Sequence, residues 1–191
     1  MQTSRVLVYI AMSIDGFIAG PDNDLSWLPG ADPASEPTEV PEPPAPGVLG
    51  YPAFIAGIGS LLMGRSTYDV VRGFGGPWPY GDMPVLVAST RPLDNDPPPQ
   101  VQRVQGPIQD LIAQAKQAAG ELDVYLDGGV MIRQAAEEDL IDALTLTVVP
   151  TALGAGHALF AGMKRRYPLE FVSQQAHPGG LLQVHLKPAG R

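Results

Sequence analysis

The stretch VYLDGGVMIRQAAEEDLIDAL, residues 124–144, joins a predicted strand to a predicted helix through two adjacent glycines. A short apolar run typical of a buried strand ends at Asp127, and the adjacent glycines Gly128 and Gly129 follow it. The pattern after the glycines is typical of an amphipathic helix that continues through Ala136. Glycine lets a ligand approach the backbone closely, and a helix N-terminus presents unpaired N–H groups to an anion. A double glycine is also a common tight turn, so the motif alone leaves both interpretations open.

The composition is that of a globular protein and excludes several classes of function. The 191 residues, 45% of them hydrophobic and 17% charged, predict a single domain that spans residues 1–191. A formal net charge of −8 would repel a phosphate backbone, so we expect no nucleic-acid partner. The chain has no cysteine, which excludes disulfides, thiolate catalysis and cysteine-ligated metals.

The N-terminal segment MQTSRVLVYIAMSIDG, residues 1–16, lacks the features of a membrane or targeting segment. Its apolar run is interrupted by Ser13 and Asp15. The segment has neither the length of a membrane span nor the form of a signal peptide. We therefore expect a soluble, cytoplasmic protein with no membrane partner.

Outward from residues 124–144, apolar runs alternate with helical patterns. The predicted strands are RVLVYIAM (5–12), SLLMG (60–64), MPVLVAST (83–90), VQRV (101–104), DVYL (123–126) and DALTLTVVP (142–150). The other predicted helices are YPAFIAGIG (51–59), RSTYDVVRGF (65–74) and GPIQDLIAQAKQAAG (106–120). LEFVSQQAHPGGLLQVHLK (169–187) predicts a hairpin. This order predicts an α/β domain with a mixed, mostly parallel central sheet flanked by helices and a C-terminal antiparallel hairpin.

A proline-rich segment, ADPASEPTEVPEPPAPG at residues 31–47, interrupts this alternation. Its prolines and acidic residues are typical of an extended, mobile segment. We interpret it as an insertion at residues 29–50 of the domain. It could be an active-site lid or a partner-docking segment, and the sequence does not distinguish the two.

Three predicted strands end in comparable polar or glycine-containing motifs. One runs through Gly64 into Arg65-Ser66-Thr67, another ends at Ser89-Thr90-Arg91, and the third ends at Asp127-Gly128-Gly129. In open α/β sheets, ligands bind beyond the carboxyl ends of the strands. Two helix N-termini and two arginines there predict a binding site for a molecule with several phosphates, which a dinucleotide fits better than a single phosphate does.

Four segments resemble a known family: SIDGFIAGPDNDLSWL (13–28), LLMGRSTYDVV (61–71), VLVAST (85–90) and YLDGGVMIRQAAEEDLIDALTLTVVPTALGAGHALF (125–160). They resemble the C-terminal reductase domain of bacterial bifunctional riboflavin deaminase-reductases, which has a dihydrofolate reductase-like fold. The resemblance covers nearly the whole chain except the proline-rich segment. Because the chain has no room for a deaminase domain and no cysteine for its zinc, it resembles the stand-alone members of the family.

The resemblance implies that the chain binds NADPH. It implies contacts to the cofactor phosphates from Gly64, Arg65, Ser66 and Thr67, and to the adenosine ribose and its 2′-phosphate from Ser89, Thr90 and Arg91. It implies a pyrophosphate turn at Asp127, Gly128, Gly129 and Val130, and a nicotinamide side at Ala11, Ile18 and Gly20. Asp127 is also a candidate cap of the helix that follows it.

The proton donor for a reduction is less well defined by the sequence. In dihydrofolate reductase a carboxylic acid lies on the helix before the MGR strand, but the matching segment GVLGYPAFIAGIG (47–59) has no Asp or Glu, which counts against folate reduction. Asp15 is the remaining catalytic candidate, although an Asp-Gly turn whose carboxylate accepts backbone N–H groups is the simpler interpretation.

Aromatic and histidine side chains near the expected site have open roles. Trp27, Trp78 and Tyr80 could stack on a flat substrate or anchor loops, whereas Tyr68 fits packing better than proton donation. The histidines are scattered, and none has metal-ligand spacing, so no metal site is expected.

These observations favour an NADPH-dependent reductase of a small carbonyl, imine or pterin-like substrate. By resemblance, the closest named reaction is that of 5-amino-6-(5-phosphoribosylamino)uracil reductase in riboflavin biosynthesis. Arg72 and Arg165-Arg166 are the available candidates for holding the phosphate of that substrate. Dihydrofolate reduction and a non-catalytic NADP(H)-binding or sensing module remain the alternatives. The resemblance also implies a homodimer, for which the apolar segments 143–149 and 181–186 could form the interface or belong to the core.

Overall fold

The residues described by the computed structural model of the chain, 4–29, 50–93, 96–177 and 180–190, are arranged around an eight-stranded sheet. In chain order the strands are β1 (Val6–Ser13), β2 (Phe17–Ala19), β3 (Ile58–Gly64), β4 (Val85–Ala88), β5 (Val101–Val104), β6 (Asp123–Asp127), β7 (Ala143–Val149), β8 (His157–Ala158), β9 (Leu169–Ala176) and β10 (Leu182–Pro188). The helices are α1 (Tyr51–Ala56), α2 (Arg65–Gly73), α3 (Ile108–Ala119) and α4 (Gly129–Glu137), with a short 3₁₀ turn at Pro21–Asn23.

The large sheet has the strand order β5-β4-β3-β6-β1-β7-β10-β9. The pairs from β5 to β7 are parallel, and β10 pairs antiparallel with both β7 and β9. Strand β1 is central, with Val6 opposite Val124 of β6 and Leu7 opposite Ala143 of β7. The predicted mixed, mostly parallel sheet with a C-terminal antiparallel hairpin is therefore confirmed.

Helices cover both faces of the sheet, which explains why the central strands are apolar without alternation. On one face, α3 buries Ile108, Leu111 and Ile112 in a core that α4 also joins. On the other face, Phe54 of α1 and Tyr68 of α2 pack against β3, β4 and β6. The predicted apolar stripe of the helix at 106–120 thus faces the core.

A two-stranded sheet formed by β2 and β8 was not predicted from the sequence. Phe17 pairs with Ala158 and Ala19 pairs with His157, and the Leu159 N–H donates to the Gly16 carbonyl oxygen at 2.9 Å. These strands have three and two residues, too few to show a periodic pattern. Their pairing fixes the loop after β1 against the loop after β7.

Most of the proline-rich insertion predicted at residues 29–50 lies outside the described residues, as does part of the turn of the C-terminal hairpin, Pro178-Gly179. The single-domain span of residues 1–191 therefore stays a prediction. Within the described ranges, no helix has the length and apolar character needed to cross a membrane.

Candidate functional site

A cavity of about 810 Å³ opens at the carboxyl ends of the parallel strands. Its walls come from the ends of β3, β4, β5 and β6, from the middle of β1, and from the helices α2 and α4 that follow β3 and β6. This is the edge at which open α/β sheets bind ligands, and the volume lies within the usual range for ligand pockets.

The cavity brings together nearly all of the residues that the sequence singled out for cofactor binding. Its lining includes Ala11, Ile18, Gly64, Arg65, Ser66, Thr67, Ser89, Thr90, Arg91, Asp127, Gly128, Gly129 and Val130. Gly20 is not part of the lining, because it packs against another loop. Its N–H donates to the Asp24 carbonyl oxygen at 2.8 Å, and a Cβ on Gly156 would lie 2.8 Å from its Cα.

Two helix N-termini face the cavity, and neither has a side-chain cap from the described residues. The N-cap residues of α2 and α4 are Gly64 and Gly128, which have no side chain to accept an N–H. Asp127 does not cap α4 as a conventional N-cap would, since its Oδ1 accepts the N–H of Gly128 itself at 2.7 Å. The first N–H groups of both helices are therefore oriented to bind an anion.

The turn between β6 and α4 depends on its glycines. Gly128 has a φ of 91°, and a Cβ there would lie 2.5 Å from Thr67 Oγ1. A Cβ on Gly129 would lie 2.9 Å from Ile18 Cδ1 and 3.1 Å from an Arg133 nitrogen. Glycine is thus required at position 128 by its backbone conformation, whereas a Cβ on Gly129 would have to displace the ends of the Ile18 and Arg133 side chains. Together the two glycines keep the start of α4 free of side chains.

Three arginines line the cavity among the residues that the structure describes. Arg65 donates through Nε to Asp69 Oδ1 at 2.6 Å and also contacts the Pro92 carbonyl oxygen. Arg133 donates to the carbonyl oxygens of Ala158 and Leu159 at 2.9 and 3.1 Å, which ties α4 to β8.

Arg91 lies in a turn just beyond β4. The Ser89 hydroxyl donates to the Arg91 carbonyl oxygen at 2.7 Å and accepts the Arg91 N–H at 3.2 Å. These two bonds fix the backbone from which the exposed Arg91 side chain reaches the cavity.

Asp127 lies at the cavity wall beside a group of tyrosines. Burial raises the pKa of Asp127 to about 6, although the hydrogen bond from the Gly128 N–H acts in the opposite direction. Burial also raises the pKa of Tyr80 and Tyr125, and the nearby Asp127 charge adds to both shifts. Tyr9, which also lines the cavity, accepts a hydrogen bond at its carbonyl oxygen from the Tyr125 hydroxyl at 2.8 Å.

Asp15, the catalytic candidate from the sequence, does not line the cavity. Its carboxylate accepts the Ser13 hydroxyl at 2.6 Å and the N–H groups of Leu153 and Gly154 at 3.1 and 2.7 Å. The Ser13 hydroxyl, followed by these N–H groups, lowers the pKa of Asp15 to about 2. A carboxyl that is ionised at neutral pH has no proton to donate, so the geometry fits the simpler interpretation of a carboxylate that holds a loop.

Of the four aromatic residues considered from the sequence, one lines the cavity and the other three make contacts outside it. Trp78 packs between Tyr68 and Tyr80, with ring centroids 6.0 and 5.3 Å apart, and Tyr68 is fully buried. Of these three, only Tyr80 reaches the cavity. Trp27 lies outside the lining and donates its indole N–H to the Asp24 carbonyl oxygen at 3.2 Å.

Several cavity residues had not been singled out in the sequence. They are Tyr9, Leu25, Leu28, Val70, Val71, Phe74, Gln105, Gly106 and Arg133. Most lie on turns or on the open face of α2, where single apolar residues give no periodic signal. Arg133 could have been suspected, because it follows Gly129 by one helical turn and so lies on the same face of α4.

No group of three histidine, aspartate or glutamate side chains in the described ranges is arranged to hold a metal ion. Of the described histidines, His157 is the one that lines the cavity. His185 contacts the Thr145 hydroxyl through Nδ1 at 2.9 Å. The described histidines therefore do not form a cluster.

Comparison with known proteins identifies the family. The family model for the RibD C-terminal domain matches residues 77–182. The chain belongs to the RibD C-terminal domain family. The uncharacterized protein YwjB of Bacillus subtilis (strain 168) is 30% identical over 182 residues, which are 95% of this chain and 96% of YwjB.

Solved structures agree with this membership of the RibD C-terminal domain family. A crystal structure from Shewanella sp. PV-4, of a protein named for riboflavin biosynthesis, is 31% identical with a TM-score of 0.78, over 96% of this chain and 98% of that one. Dihydrofolate reductase from Enterococcus faecalis, solved with NADP(H), is 15% identical with a TM-score of 0.65, over 98% of both chains. The predicted dihydrofolate reductase-like fold is therefore confirmed.

Proposed function

We propose that this member of the RibD C-terminal domain family is an NADPH-dependent oxidoreductase that reduces a C=O or C=N bond in a small molecule. One observation carries the proposal: two uncapped helix N-termini and the arginines that follow β3 and β4 open onto the same cavity. Helix N-termini and guanidinium groups are the features with which proteins bind phosphates. A single cavity with several of them suits a ligand that carries more than one phosphate.

The residues at the ends of β3 and β4 would hold the adenosine half of NADPH. Arg91 has no carboxylate partner among the described residues, so its guanidinium is available to a 2′-phosphate. Thr67 at the start of α2 and Gly129 at the start of α4 border the place where a pyrophosphate would meet both helix N-termini. The related fold of the Enterococcus faecalis dihydrofolate reductase, which was solved with NADP(H), supports this assignment.

The middle of β1 and the loop after it would hold the nicotinamide half, through Ala11 and Ile18. When bound, NADPH supplies the hydride, and the protein has to exclude water and deliver a proton. Among the residues that the structure describes, Asp127 is the acid that lines the cavity, and its raised pKa of about 6 leaves part of it protonated near neutral pH. We therefore assign proton donation to the carboxyl of Asp127 rather than to Asp15.

The reaction type follows the family. The Shewanella protein is named for riboflavin biosynthesis, which makes reduction of a ribosylamino-pyrimidine, as in 5-amino-6-(5-phosphoribosylamino)uracil reductase, the first reaction to assay. Dihydrofolate reduction is the second, although α1 has no acidic residue among its six members. Tight methotrexate binding together with turnover of dihydrofolate would favour that second reaction.

A non-catalytic NADP(H)-binding or sensing module would share the same phosphate-binding residues. The presence of an acid with a raised pKa in the cavity favours an enzyme, because perturbed carboxyl groups concentrate at catalytic sites. The test is turnover: NADPH oxidation is followed with ribosylamino-pyrimidines, dihydrofolate and a panel of aromatic carbonyls. Reduction of at least one compound supports the enzyme, whereas saturable NADPH binding without any turnover supports the sensing module.

A further inference from the structure

We infer that Arg133 is a ligand of the cofactor and that its guanidinium binds the phosphate of the nicotinamide half of NADPH. The inference rests on the proposed reductase function, because it takes NADPH to be the molecule that occupies the cavity. It deepens that function by separating the side chain that holds the nicotinamide half from those that hold the adenosine half. Three observations support it: the position of the Arg133 side chain, its unused N–H groups and its neighbours.

The Arg133 side chain lies over the first turn of α4. Helical side chains lean toward the N-terminus of their helix, so a residue one turn after Gly129 covers the start of the same helix. Arg133 Nη1 accordingly lies 3.1 Å from the position that a Cβ on Gly129 would occupy, and Arg133 lines the cavity. The guanidinium is therefore beside the turn to which we assign the pyrophosphate.

The described residues engage one nitrogen of the Arg133 guanidinium. Nη1 donates to the carbonyl oxygens of Ala158 and Leu159 at 2.9 and 3.1 Å. Within the described part of the chain, Nε and Nη2 have no acceptor, and the guanidinium has no carboxylate partner. Because the bonds from Nη1 fix the orientation of the planar group, its other N–H groups are available to a phosphate at little cost in side-chain entropy.

Arg133 adds a positive charge to a helix end that already favours an anion. The dipole of α4 repels a cation at its N-terminus, and the first turn of α4 has no acidic residue. Asp127, the acid that precedes the turn, accepts the Gly128 N–H at 2.7 Å and forms no ion pair with Arg133. A phosphate bound between the helix start and the guanidinium would interact favourably with both.

The neighbours of Arg133 indicate which half of the cofactor it would hold. Ile18 Cδ1 lies 2.9 Å from the same Cβ position on Gly129, so Ile18 and the guanidinium flank one point of the turn. We assign Ile18 to the nicotinamide. Arg91, which we assign to the 2′-phosphate, follows β4, and β3 separates β4 from β6 in the sheet. The phosphate on the nicotinamide ribose is therefore the one that Arg133 would bind.

The same side chain connects this phosphate position to the small sheet of β2 and β8. Ala158, which accepts a hydrogen bond from Arg133, lies on β8 and pairs with Phe17 of β2. The Leu159 N–H donates to the Gly16 carbonyl oxygen at 2.9 Å, just before β2. Since β2 carries Ile18, Arg133 would position the wall of the nicotinamide pocket as well as bind the phosphate.

Three nucleotides test the inference: NADPH, NADH and adenosine 2′,5′-bisphosphate. NADH lacks the 2′-phosphate, whereas adenosine 2′,5′-bisphosphate keeps it and lacks the whole nicotinamide half with its phosphate. Each nucleotide is titrated by calorimetry into the wild type, Arg133→Met and Arg91→Ala. Methionine keeps an unbranched apolar side chain at position 133 and removes the N–H donors.

Arg133→Met should weaken binding of NADPH and NADH by the same factor, about 10- to 100-fold, because both contain the phosphate that Arg133 would contact. Its affinity for adenosine 2′,5′-bisphosphate should stay within about twofold of the wild type. Arg91→Ala should give the opposite pattern, with losses for NADPH and the bisphosphate and little change for NADH. Arg103→Met removes an exposed charge outside the lining and is the matched control, which should change none of these affinities.

Two results would overturn the inference. One is NADH binding by Arg133→Met within twofold of the wild type. The other is an equal loss for all three nucleotides, because Arg133 would then only support the fold of the site. If Arg133→Met does not fold, Arg133→Lys keeps the charge without the planar fork and should weaken NADH binding by about threefold to tenfold, with the bisphosphate unchanged. Failure of the wild type to bind any of the three nucleotides would instead contradict the proposed function itself.

Discussion

Gly128 lies so close to Thr67 that a Cβ on the glycine would fall 2.5 Å from the threonine hydroxyl oxygen. The turn after β6 therefore meets the first turn of α2 at a point where no side chain fits. This contact brings two helix N-termini to one place, which neither helix could achieve alone. The phosphate-binding geometry that we propose depends on it.

Replacement of Gly128 by alanine should destabilise the fold. The residue has a φ of 91°, which is strained for alanine, and the added Cβ would clash with Thr67. We expect a loss of about 1–3 kcal/mol in the free energy of unfolding, measured by urea denaturation.

Gly73→Ala is the matched control for this substitution. Gly73 ends α2 and has no positive φ, and a Cβ added to it would meet no neighbouring atom within 4 Å. Alanine there should be neutral or stabilising by up to about 1 kcal/mol. Equal stability of the Gly128→Ala and Gly73→Ala proteins would argue against the packing described at the turn.

Arg91→Ala should reduce the preference of the protein for NADPH over NADH. Loss of a charge-assisted contact to the 2′-phosphate should weaken NADPH binding by about 10- to 100-fold, and NADH, which lacks that phosphate, should be affected little. The measurement is a pair of fluorescence titrations, with NADPH and with NADH.

The control for Arg91→Ala is Arg103→Ala. Arg103 is exposed on β5 and lies outside the cavity lining, so its removal changes the net charge equally without touching the site. If the two variants weakened NADPH binding equally, the effect would be long-range and Arg91 would have no specific role.

Asp127→Asn should abolish the fall in kcat/KM at alkaline pH that a general acid produces. The protonated carboxyl is the active form, so kcat/KM for a reduced substrate should fall tenfold per pH unit above a pKa of about 6. The asparagine variant should be roughly 100- to 10,000-fold slower at pH 6 and should lose this pH dependence. A variant that retained the wild-type pH profile would exclude Asp127 as the proton donor.

The pH dependence of stability gives an independent check on Asp127. Its pKa is raised in the folded state, so between pH 4 and about 6 the folded protein holds a proton that the unfolded chain has released. The contribution of this group to the free energy of unfolding should therefore fall as pH rises through that window and stay constant above it. Asp127→Asn should remove this part of the slope.

Asp15→Ala should affect stability rather than chemistry. The carboxylate holds the loop at Leu153 and Gly154, and its lowered pKa means that this contribution is present above about pH 4 and lost as pH falls through about 2. We expect a Tm lower by a few degrees at neutral pH and a kcat within about twofold of the wild type. A large loss of kcat with an unchanged Tm would instead make Asp15 a catalytic residue.

The sheet and helices could be predicted from the sequence because the apolar runs of the strands and the apolar stripes of the helices are both clear. The apolar run before Asp127 and the stripe of Ile108, Leu111 and Ile112 on α3 each identify an element buried on a known face. The short strands β2 and β8 could not be predicted, because their pairing is set by contacts between loops that are distant in sequence. Local pattern contains no information on such contacts.

The sequence predicted the end of the cavity to which we assign the cofactor phosphates, and it missed the residues of the other end. Gly64 ends a strand, and Arg91 and Gly129 come just after strands. The rule that ligands bind at strand ends is enough to bring these three residues together from the sequence. Tyr9 and Phe74 line the cavity through side-chain direction and loop path, which the sequence does not specify. The role that we propose for Asp127 was likewise hidden, since its raised pKa arises from burial in the folded protein.

The most direct test of the central claim is titration of the wild-type protein with NADPH, followed by the fluorescence of the reduced nicotinamide. The account predicts saturable binding that is weaker for NADH, because the strand-end arginines would hold a 2′-phosphate that NADH lacks. No saturable binding of NADPH at millimolar concentration would contradict it.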